Sequence, residues 1–196
     1  MMPDTTIPIP LLRGPVQLSH LMLETFVREG SRSIDATCGN GHDTLLLARL
    51  AGDTGHVWAF DIQERALLET QRKLEESSLA QRVNLVHSGH EHLAEHVSAP
   101  VDAVIFKLGY LPGGDRSIIT RPETTLLALD QALQLLSPGG VLIAVIYPGH
   151  PGGSREESAV EVWAGRLAPG SFHVWRLGQM NTPQNAPYLN LIQKVN

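Results

Sequence analysis

The architecture follows from one stretch near the N-terminus, Ser33-Ile34-Asp35-Ala36-Thr37-Cys38-Gly39-Asn40-Gly41-His42-Asp43-Thr44. It predicts a short strand that ends in a glycine-bearing turn and then starts a helix. Gly39 and Gly41 allow the backbone to approach a ligand where a side chain would collide with it. The amides at the start of the following helix would point at the same ligand. This order of elements indicates a binding site on the first crossover of an open parallel sheet.

Two acidic residues and one missing glycine indicate which cofactor the turn holds. A third glycine would complete a dinucleotide-binding turn, but Thr44 stands at its place. Asp35 precedes the turn, where a carboxylate suits a cationic partner better than a pyrophosphate. Asp61 ends the next apolar run, where a carboxylate can accept hydrogen bonds from both ribose hydroxyls. S-adenosylmethionine (SAM) has a ribose, a sulfonium and an amino group but no phosphate, so we expect SAM as the cofactor. A tight turn with a capping aspartate is the alternative.

Composition restricts the class of protein. The 196 residues suggest a single domain over residues 1–196, with residues 1–15 as an irregular segment. No apolar run reaches the length of a membrane span, the first residues do not form a signal peptide, and Cys38 is the one cysteine. We therefore expect a cytoplasmic protein with no membrane association. The net charge of −5 gives no bulk attraction to nucleic acid, so an RNA contact would need a local basic patch.

Strand and helix patterns alternate along most of the chain. The predicted strands are 33–36, 56–60, 83–87, 103–106, 141–147, 172–177 and 188–194, and the predicted helices are 16–29, 43–51, 63–77, 90–97, 124–136 and 156–167. The alternation predicts an α/β protein with a Rossmann-like, doubly wound, mostly parallel sheet of seven strands and helices on both faces. No helix separates the last two strands, so they should form a C-terminal antiparallel hairpin.

Candidate site residues follow from this topology, because ligands of such sheets bind beyond the carboxyl ends of the strands. We assign the cofactor site to Asp35, Thr37, Gly39, Asn40, Gly41, His42, Asp43, Asp61, Gln63, Ser88, Gly89, His90 and Leu108. The loops 107–115 and 148–153 are rich in glycine and proline and follow the fourth and fifth strands. They bring Lys107, Tyr110 and His150 to the place where a substrate would meet the cofactor.

Three loop motifs resemble those of a known family. The pattern D-A-T-x-G-x-G-x-D-T is matched by residues 35–44, L-G-Y-L-P-G-G-D by residues 108–115, and Y-x-G-H-x-G-G by residues 147–153. From Gln17 onward the chain resembles class I SAM-dependent methyltransferases, and more narrowly the small bacterial family described as putative rRNA methylase. The resemblance implies one SAM-dependent methyltransferase domain that acts on RNA. It implies most specifically methylation of the amine of 5-aminomethyl-2-thiouridine at the wobble position of tRNA. Methylation of rRNA or of a small molecule are the alternatives.

Lys107 departs from the resemblance, because similar sequences usually carry asparagine before Leu-Gly-Tyr. An asparagine carbonyl can accept a hydrogen bond from a target amine, whereas a lysine ammonium has only donors. If Lys107 points into the site, it repels a cationic amine or has to lose its own proton. Otherwise it turns toward an RNA phosphate. The departure also makes a SAM-binding or RNA-binding module with impaired catalysis an alternative function.

Proton removal assigns roles to two loop residues. An alkylamine is mostly protonated at neutral pH and cannot attack until it loses a proton. His150 is the candidate base, because a histidine with an ordinary pKa of about 6.5 is largely neutral at pH 7. Tyr110 is the candidate for stacking on a base or orienting the amine. The alternatives are structural: a histidine that braces the loop and an aromatic lid.

A zinc hydrolase is the rival enzyme class. His92-Leu93-Ala94-Glu95-His96 matches the pattern H-x-x-E-H, and His87 and His90 lie nearby in the sequence. That motif needs a long helix and a distant third ligand, so we expect no metal. Cys38 as a nucleophile is a further alternative, but a small buried residue beside the turn is expected there.

RNA contacts and oligomeric state are weakly encoded. Basic residues that could contact phosphates, two of which flank the substrate loops, are Arg13, Arg116, Arg121 and Arg155. Surface solubility explains each of them equally well. With tRNA or another RNA as the expected partner, affinity should fall as salt rises. A small interface and an acidic chain would suit a homodimer that presents one concave patch, but no sequence feature fixes the oligomeric state.

Overall fold

The computed structural model describes residues 12–98 and 100–196. Its helices are α1 (Pro15–Phe26), α2 (His42–Ala51), α3 (Glu64–Glu76), α4 (Leu93–His96), α5 (Pro122–Leu135) and α6 (Gly153–Ala164). Its strands are β1 (Arg32–Asp35), β2 (His56–Asp61), β3 (Val83–His87), β4 (Val101–Leu108), β5 (Leu136–Ile146), β6 (Phe172–Leu177) and β7 (Tyr188–Lys194). Most of the segment 1–15 that we expected to be irregular lies outside the described residues. None of the described helices is long and apolar enough to cross a membrane.

The strands form one sheet of seven in the order β3-β2-β1-β4-β5-β7-β6. The pairs among β1 to β5 are parallel, and β7 runs antiparallel to both β5 and β6. The last strand therefore lies inside the sheet, and β6 lies at its edge. This arrangement confirms the predicted doubly wound, mostly parallel sheet with a C-terminal antiparallel hairpin.

Central strands are buried on both faces, which explains their nearly continuous apolar sequence. Side chains alternate between faces along a strand, so Val104 and Phe106 enter one core while Ala103 and Ile105 enter the other. The first core contains Leu129 of α5, and the second contains leucines of α1, α2 and α3. Helices therefore cover both faces and leave the carboxyl ends of the parallel strands open.

Some element boundaries differ from the sequence prediction. We expected Ser137-Pro138-Gly139-Gly140 to separate a helix from a strand beginning at residue 141, but β5 begins at Leu136 and runs through this segment. The pairing of β4 with β5 shifts register between Val101 and Ala103, and Gly139 has a φ of 81°. The segment is therefore a bulge within the strand, where only glycine adopts this backbone without strain.

The predicted helix 90–97 is also divided. The structure has a 3-10 turn at His90–His92, followed by the single helical turn of α4. Helix α6 begins at Gly153, three residues earlier than predicted, after Gly152 at a φ of 88°. A left-handed glycine at this position lets the chain reverse into the helix directly after the loop.

Candidate active site

A cavity of about 570 Å³ opens at the carboxyl ends of β1, β2 and β4. Its volume lies within the range of small-molecule sites. The predicted site residues that line it are Thr37, Gly39, Asn40, His42, Asp43, Asp61, Gln63, Ser88, Gly89, His90, Lys107 and Tyr110. Lining residues that were not predicted include Phe60, Ile62 and a rim formed by residues 117–120 and Thr124. The topology therefore brings most of the expected residues to one site.

Four predicted residues do not line the cavity, namely Asp35, Gly41, Leu108 and His150. Leu108 is fully buried and belongs to the apolar core on the side of α5. Gly41 faces α3, because a Cβ built on it would lie 2.7 Å from Thr70 Oγ1. Its φ of 78° and this close packing require glycine, so Gly41 serves the contact between turn and helix rather than the approach of a ligand.

Asp61 joins the glycine turn to β2. The backbone N–H groups of Gly39 and Gln63 donate to its two carboxylate oxygens, each at 2.9 Å. Burial raises the pKa of Asp61, and these backbone donors oppose that rise. Each oxygen has a further lone pair, so the carboxylate retains capacity for hydroxyl donors in the cavity.

Asp35 lies beneath the turn and is only 1% exposed. The Thr44 hydroxyl donates to one carboxylate oxygen at 2.6 Å, and the Thr37 N–H donates to the other at 3.3 Å. Burial, followed by the charge of Asp43, raises the pKa of Asp35 to about 7. The residue expected to meet the cationic end of a cofactor therefore supports the turn from below, while Asp43 lines the cavity.

A three-residue polar network joins α1, α2 and β4. Asp43 Oδ2 lies 2.6 Å from Lys107 Nζ, and Asp43 Oδ1 lies 2.7 Å from His20 Nε2. Burial opposes ionisation of Asp43, but the hydrogen bonds from His20 and Lys107 outweigh it and lower the pKa of Asp43. The Lys107 N–H also donates to Thr37 Oγ1 at 2.7 Å. His20 was missed because only the fold brings it to Asp43.

The residues after β3 that line the cavity are Ser88, Gly89, His90 and Glu91. His90 is buried, and its ring meets Phe106 edge to face at 5.8 Å between centroids. Burial lowers the pKa of His90, so the ring is neutral at pH 7. Phe60 and Ile62 line the same region. The neutral His90 ring and the apolar side chains of Phe60 and Ile62 suit a planar heterocycle, and Ser88 and Glu91 provide polar groups at its edge.

Tyr110 and His150 lie together on the opposite side. The Tyr110 ring is 39% exposed, its centroid lies 6.0 Å from that of His150, and Arg116 Cζ lies 5.6 Å above it. His150 Nδ1 lies 3.0 Å from the Pro151 carbonyl oxygen. A carbonyl only accepts, so Nδ1 carries the proton and donates, which leaves a bare lone pair on Nε2. Nε2 is buried without a hydrogen-bond partner, although His150 does not line the cavity.

The histidines of the H-x-x-E-H pattern have separate partners. His92 Nδ1 lies 2.7 Å from Glu95 Oε1, the His96 ring contacts Phe60, and His87 Nε2 lies 3.0 Å from the Ile62 carbonyl. Among the described residues, no group of three potential metal ligands is close enough to hold an ion. Burial raises the pKa of the Cys38 thiol, which opposes formation of a nucleophilic thiolate.

The four candidate arginines occupy different places. Arg121 lines the cavity, Arg116 lies over the Tyr110 ring, and Arg155 pairs with Glu123 on the surface. Arg13 is exposed ahead of α1. The structure therefore brings Arg116 and Arg121 to the cavity mouth and leaves Arg13 and Arg155 outside it.

The family model described as "Putative rRNA methylase" matches residues 57–193. A chloroplastic tRNA (mnm5s2U34)-methyltransferase of Arabidopsis thaliana is 38% identical over 177 residues, which cover 85% of this chain and 65% of that protein. This chain thus spans about two thirds of the length of that curated relative.

Two solved structures share the fold over nearly the whole chain. A putative rRNA methylase from Clostridium thermocellum is 41% identical with a TM-score of 0.92, and the match covers 95% of this chain and 100% of that one. A putative methyltransferase from Streptococcus mutans, in complex with SAH, is 37% identical with a TM-score of 0.85 and covers 94% and 100%.

Proposed function

The chain belongs to the putative rRNA methylase family and is a SAM-dependent methyltransferase, and from this premise we propose that it methylates the amine of an aminomethyl group on the wobble uridine of tRNA. The observation that carries the proposal is the 38% identity to a relative whose name states that activity. The description of the family model favours a second candidate, methylation of rRNA. The expected homodimer stays a prediction.

The cavity offers groups that fit SAM. Asp61 has lone pairs for the ribose hydroxyls, and the surface formed by Ile62 and the neutral His90 ring suits the adenine. Asn40 and the Gly39 backbone lie beside the turn, where the methionine part would lie. Gly39 has a φ of 50°, and a Cβ added there would lie 3.2 Å from the Leu111 side chain. Both observations favour glycine at this position of the turn. We therefore propose these residues as the cofactor site.

The other half of the cavity suits a nucleotide. Tyr110 presents a partly exposed ring, and aromatic rings of this kind stack on unpaired bases of RNA. Arg116 and Arg121 lie near the same ring and rim, where a guanidinium can bind phosphate. These three residues support RNA as the substrate, because a single-stranded nucleotide offers both a base and a phosphate.

Methyl transfer requires alignment and a neutral amine. SAM, when bound, supplies an electrophilic methyl group. The protein's part is to orient the amine between the glycine turn and Tyr110, to exclude water, and to take up a proton. His150 Nε2 has a free lone pair, since Nδ1 keeps its proton for the Pro151 oxygen. His150 does not itself line the cavity, but its ring adjoins that of Tyr110, which does, and we propose Nε2 as the acceptor of the proton that leaves the amine.

The substrate test uses purified protein, SAM and tRNA carrying 5-aminomethyl-2-thiouridine, with nucleoside mass spectrometry as the readout. We expect gain of one methyl group on that nucleoside and none on tRNA lacking the aminomethyl group. Asp61→Ala should abolish the product, whereas Asp53→Ala, at an exposed position, should not. Methylation of rRNA alone would replace the substrate, and no methylation of any RNA would overturn the proposal.

The role of His150 is tested separately. His150→Ala should lower kcat by about 100-fold or more, as loss of a general base does, and should leave SAM affinity within about twofold. His173→Ala is the matched control, because His173 is exposed on β6. Equal loss of turnover and of SAM affinity would contradict the assignment of His150 as the base.

A further inference from the structure

Lys107 lies between the two halves of the cavity. It precedes the last residue of β4, its backbone is tied to Thr37 on the cofactor side, and Gly109 and Tyr110 follow it on the substrate side. Its ammonium is 2.6 Å from Asp43 Oδ2. Lys107 therefore places a positive charge where both the cofactor and the target amine must approach.

The ion pair presents its positive end to the cavity. The Lys107 side chain is 22% exposed, whereas the Asp43 side chain is 5% exposed. Both Asp43 oxygens are already used, one by Lys107 and the other by His20. The lone pairs that remain on the Asp43 carboxylate are largely out of reach of an incoming ammonium, because the side chain is only 5% exposed.

The groups around the pair maintain this charge arrangement. Asp35 lies below Asp43, and burial favours its protonated form. Tyr147 has its pKa raised to about 12 by burial and by the charge of Asp43, so its hydroxyl stays neutral. Burial and Lys73 lower the pKa of His42, which leaves that ring neutral at pH 7. Asp43 and Lys107, with a partly ionised Asp35 beneath them, are then the groups that set the local charge.

We propose that Lys107 determines which protonation state of the target amine binds: its fixed ammonium admits the neutral amine and rejects the ammonium form. The inference rests on the proposed function, amine methylation. A nearby cation favours the neutral form of an amine by direct repulsion. The ammonium gives its first proton to water on binding, so the nucleophilic lone pair is available before the methyl group moves, and His150 accepts the second proton, which the methylated amine loses afterwards. Lys107 is thus a specificity-determining residue.

Proton release on binding provides the test. Aminomethyl tRNA is titrated calorimetrically into the protein saturated with SAH, near pH 7, in buffers of different ionisation enthalpy. We expect release of about one proton more than with control tRNA lacking the aminomethyl group. Lys107→Arg keeps the charge and should release the same number. Lys107→Asn, which carries the residue usual in similar sequences, should release close to none.

Kinetics give a second readout. With saturating tRNA, the acidic limb of kcat should move to higher pH by about two units or more in Lys107→Asn and stay in place in Lys107→Arg. If Lys107→Asn does not fold, Asp43→Asn/Lys107→Met removes both charges of the pair and should give the same reduced proton release.

Three outcomes are distinguishable. Equal proton release by the native protein and Lys107→Asn would overturn the inference. A loss of SAH affinity of tenfold or so with unchanged proton release would also overturn it, since Lys107 would then serve the cofactor. If the native protein neither binds nor methylates aminomethyl tRNA, the proposed function itself fails, whatever the variants do.

Discussion

Asp35 and Asp43 flank the same turn, yet the fold shifts their pKa values in opposite directions. Asp35 has hydroxyl and amide donors but no cation in direct contact, so burial raises its pKa to about 7. Asp43 contacts Lys107 and His20, and these hydrogen bonds lower its pKa despite burial. At neutral pH one of the two acids carries the charge that Lys107 balances, and the other is partly protonated.

Replacement of Asp35 by asparagine should remove a pH-dependent loss of folding stability. The Asp35 pKa is about 7 in the folded chain against 3.8 without burial, so the folded state holds the proton more tightly. Stability from this group is complete below about pH 4 and is lost as pH rises to about 7. The unfolding free energy of Asp35→Asn, relative to the native protein, should therefore rise across this window and then level off. Urea denaturation at several pH values measures it.

Asp53→Asn is the control for this experiment, because the Asp53 side chain is 86% exposed. Its difference from the native protein should not vary over the same pH window. A flat difference for Asp35→Asn would show that Asp35 is ionised in the folded protein throughout.

Single residues were predictable where local sequence sets their geometry. Gly39 and Asp61 were predicted to share a site from the order of strand, turn and strand. In the structure, the Gly39 nitrogen lies 2.9 Å from Asp61 Oδ2. His20 was not predicted, because it meets Asp43 only when α1 packs beside α2. Asp35 was misplaced since a sequence shows that an acid adjoins the turn but not which way its side chain points.

At the scale of elements, helix α6 anchors the loop 109–120, which carries Tyr110. Glu156, in its first turn, accepts hydrogen bonds from the hydroxyls of Thr120 and Thr125 at 2.7 and 2.6 Å. Glu156 and Thr125 are buried. The two ends of the loop are also joined by backbone contacts. The Thr120 N–H donates to the Gly109 carbonyl, and Tyr110 and Ile119 form an antiparallel β-bridge. One carboxylate thus connects α5, α6 and the loop that carries Tyr110.

Removal of this carboxylate should loosen the loop. Glu156→Ala leaves two hydroxyls without partners, and we expect a loss of about 3 kcal/mol of unfolding free energy. Turnover on RNA should fall more than SAM affinity, because the loop lies on the substrate side. Glu157→Gln, which breaks a partly exposed ion pair with Arg176, should cost less than about 1 kcal/mol. Denaturation and kinetics measure both, and equal effects of the two variants would contradict the anchoring role.

Elements were predictable to the degree that one pattern dominated their sequence. The bounds of β3, β6 and β7 agree with the predicted strands. Strand β5 was predicted too short because proline and two glycines normally stop a strand, and here the register shift against β4 absorbs them as a bulge. Residues 90–97 have a helical composition, but the chain forms one tight turn and one helical turn there.

At the scale of the whole molecule, the last strand joins both cores. Strand β7 lies between β5 and β6, so the sheet is complete only when the C-terminal residues are in place. Leu189 belongs to the core on the side of α1, and Ile192 belongs to the core on the side of α5. Both side chains are fully buried. The two cores should therefore unfold as one cooperative unit.

Substitution of each residue tests this cooperativity. Leu189→Ala and Ile192→Ala should each cost about 3 kcal/mol, as cavities in a packed core do. Because the two side chains enter opposite faces, the double variant should cost close to the sum. Val174→Ala on the edge strand β6 is the control and should cost much less, since Val174 is 37% exposed. Near-ultraviolet and far-ultraviolet circular dichroism should give one coincident transition in every variant. Two separate transitions in either single variant would show that the two cores unfold independently and would contradict a single cooperative unit.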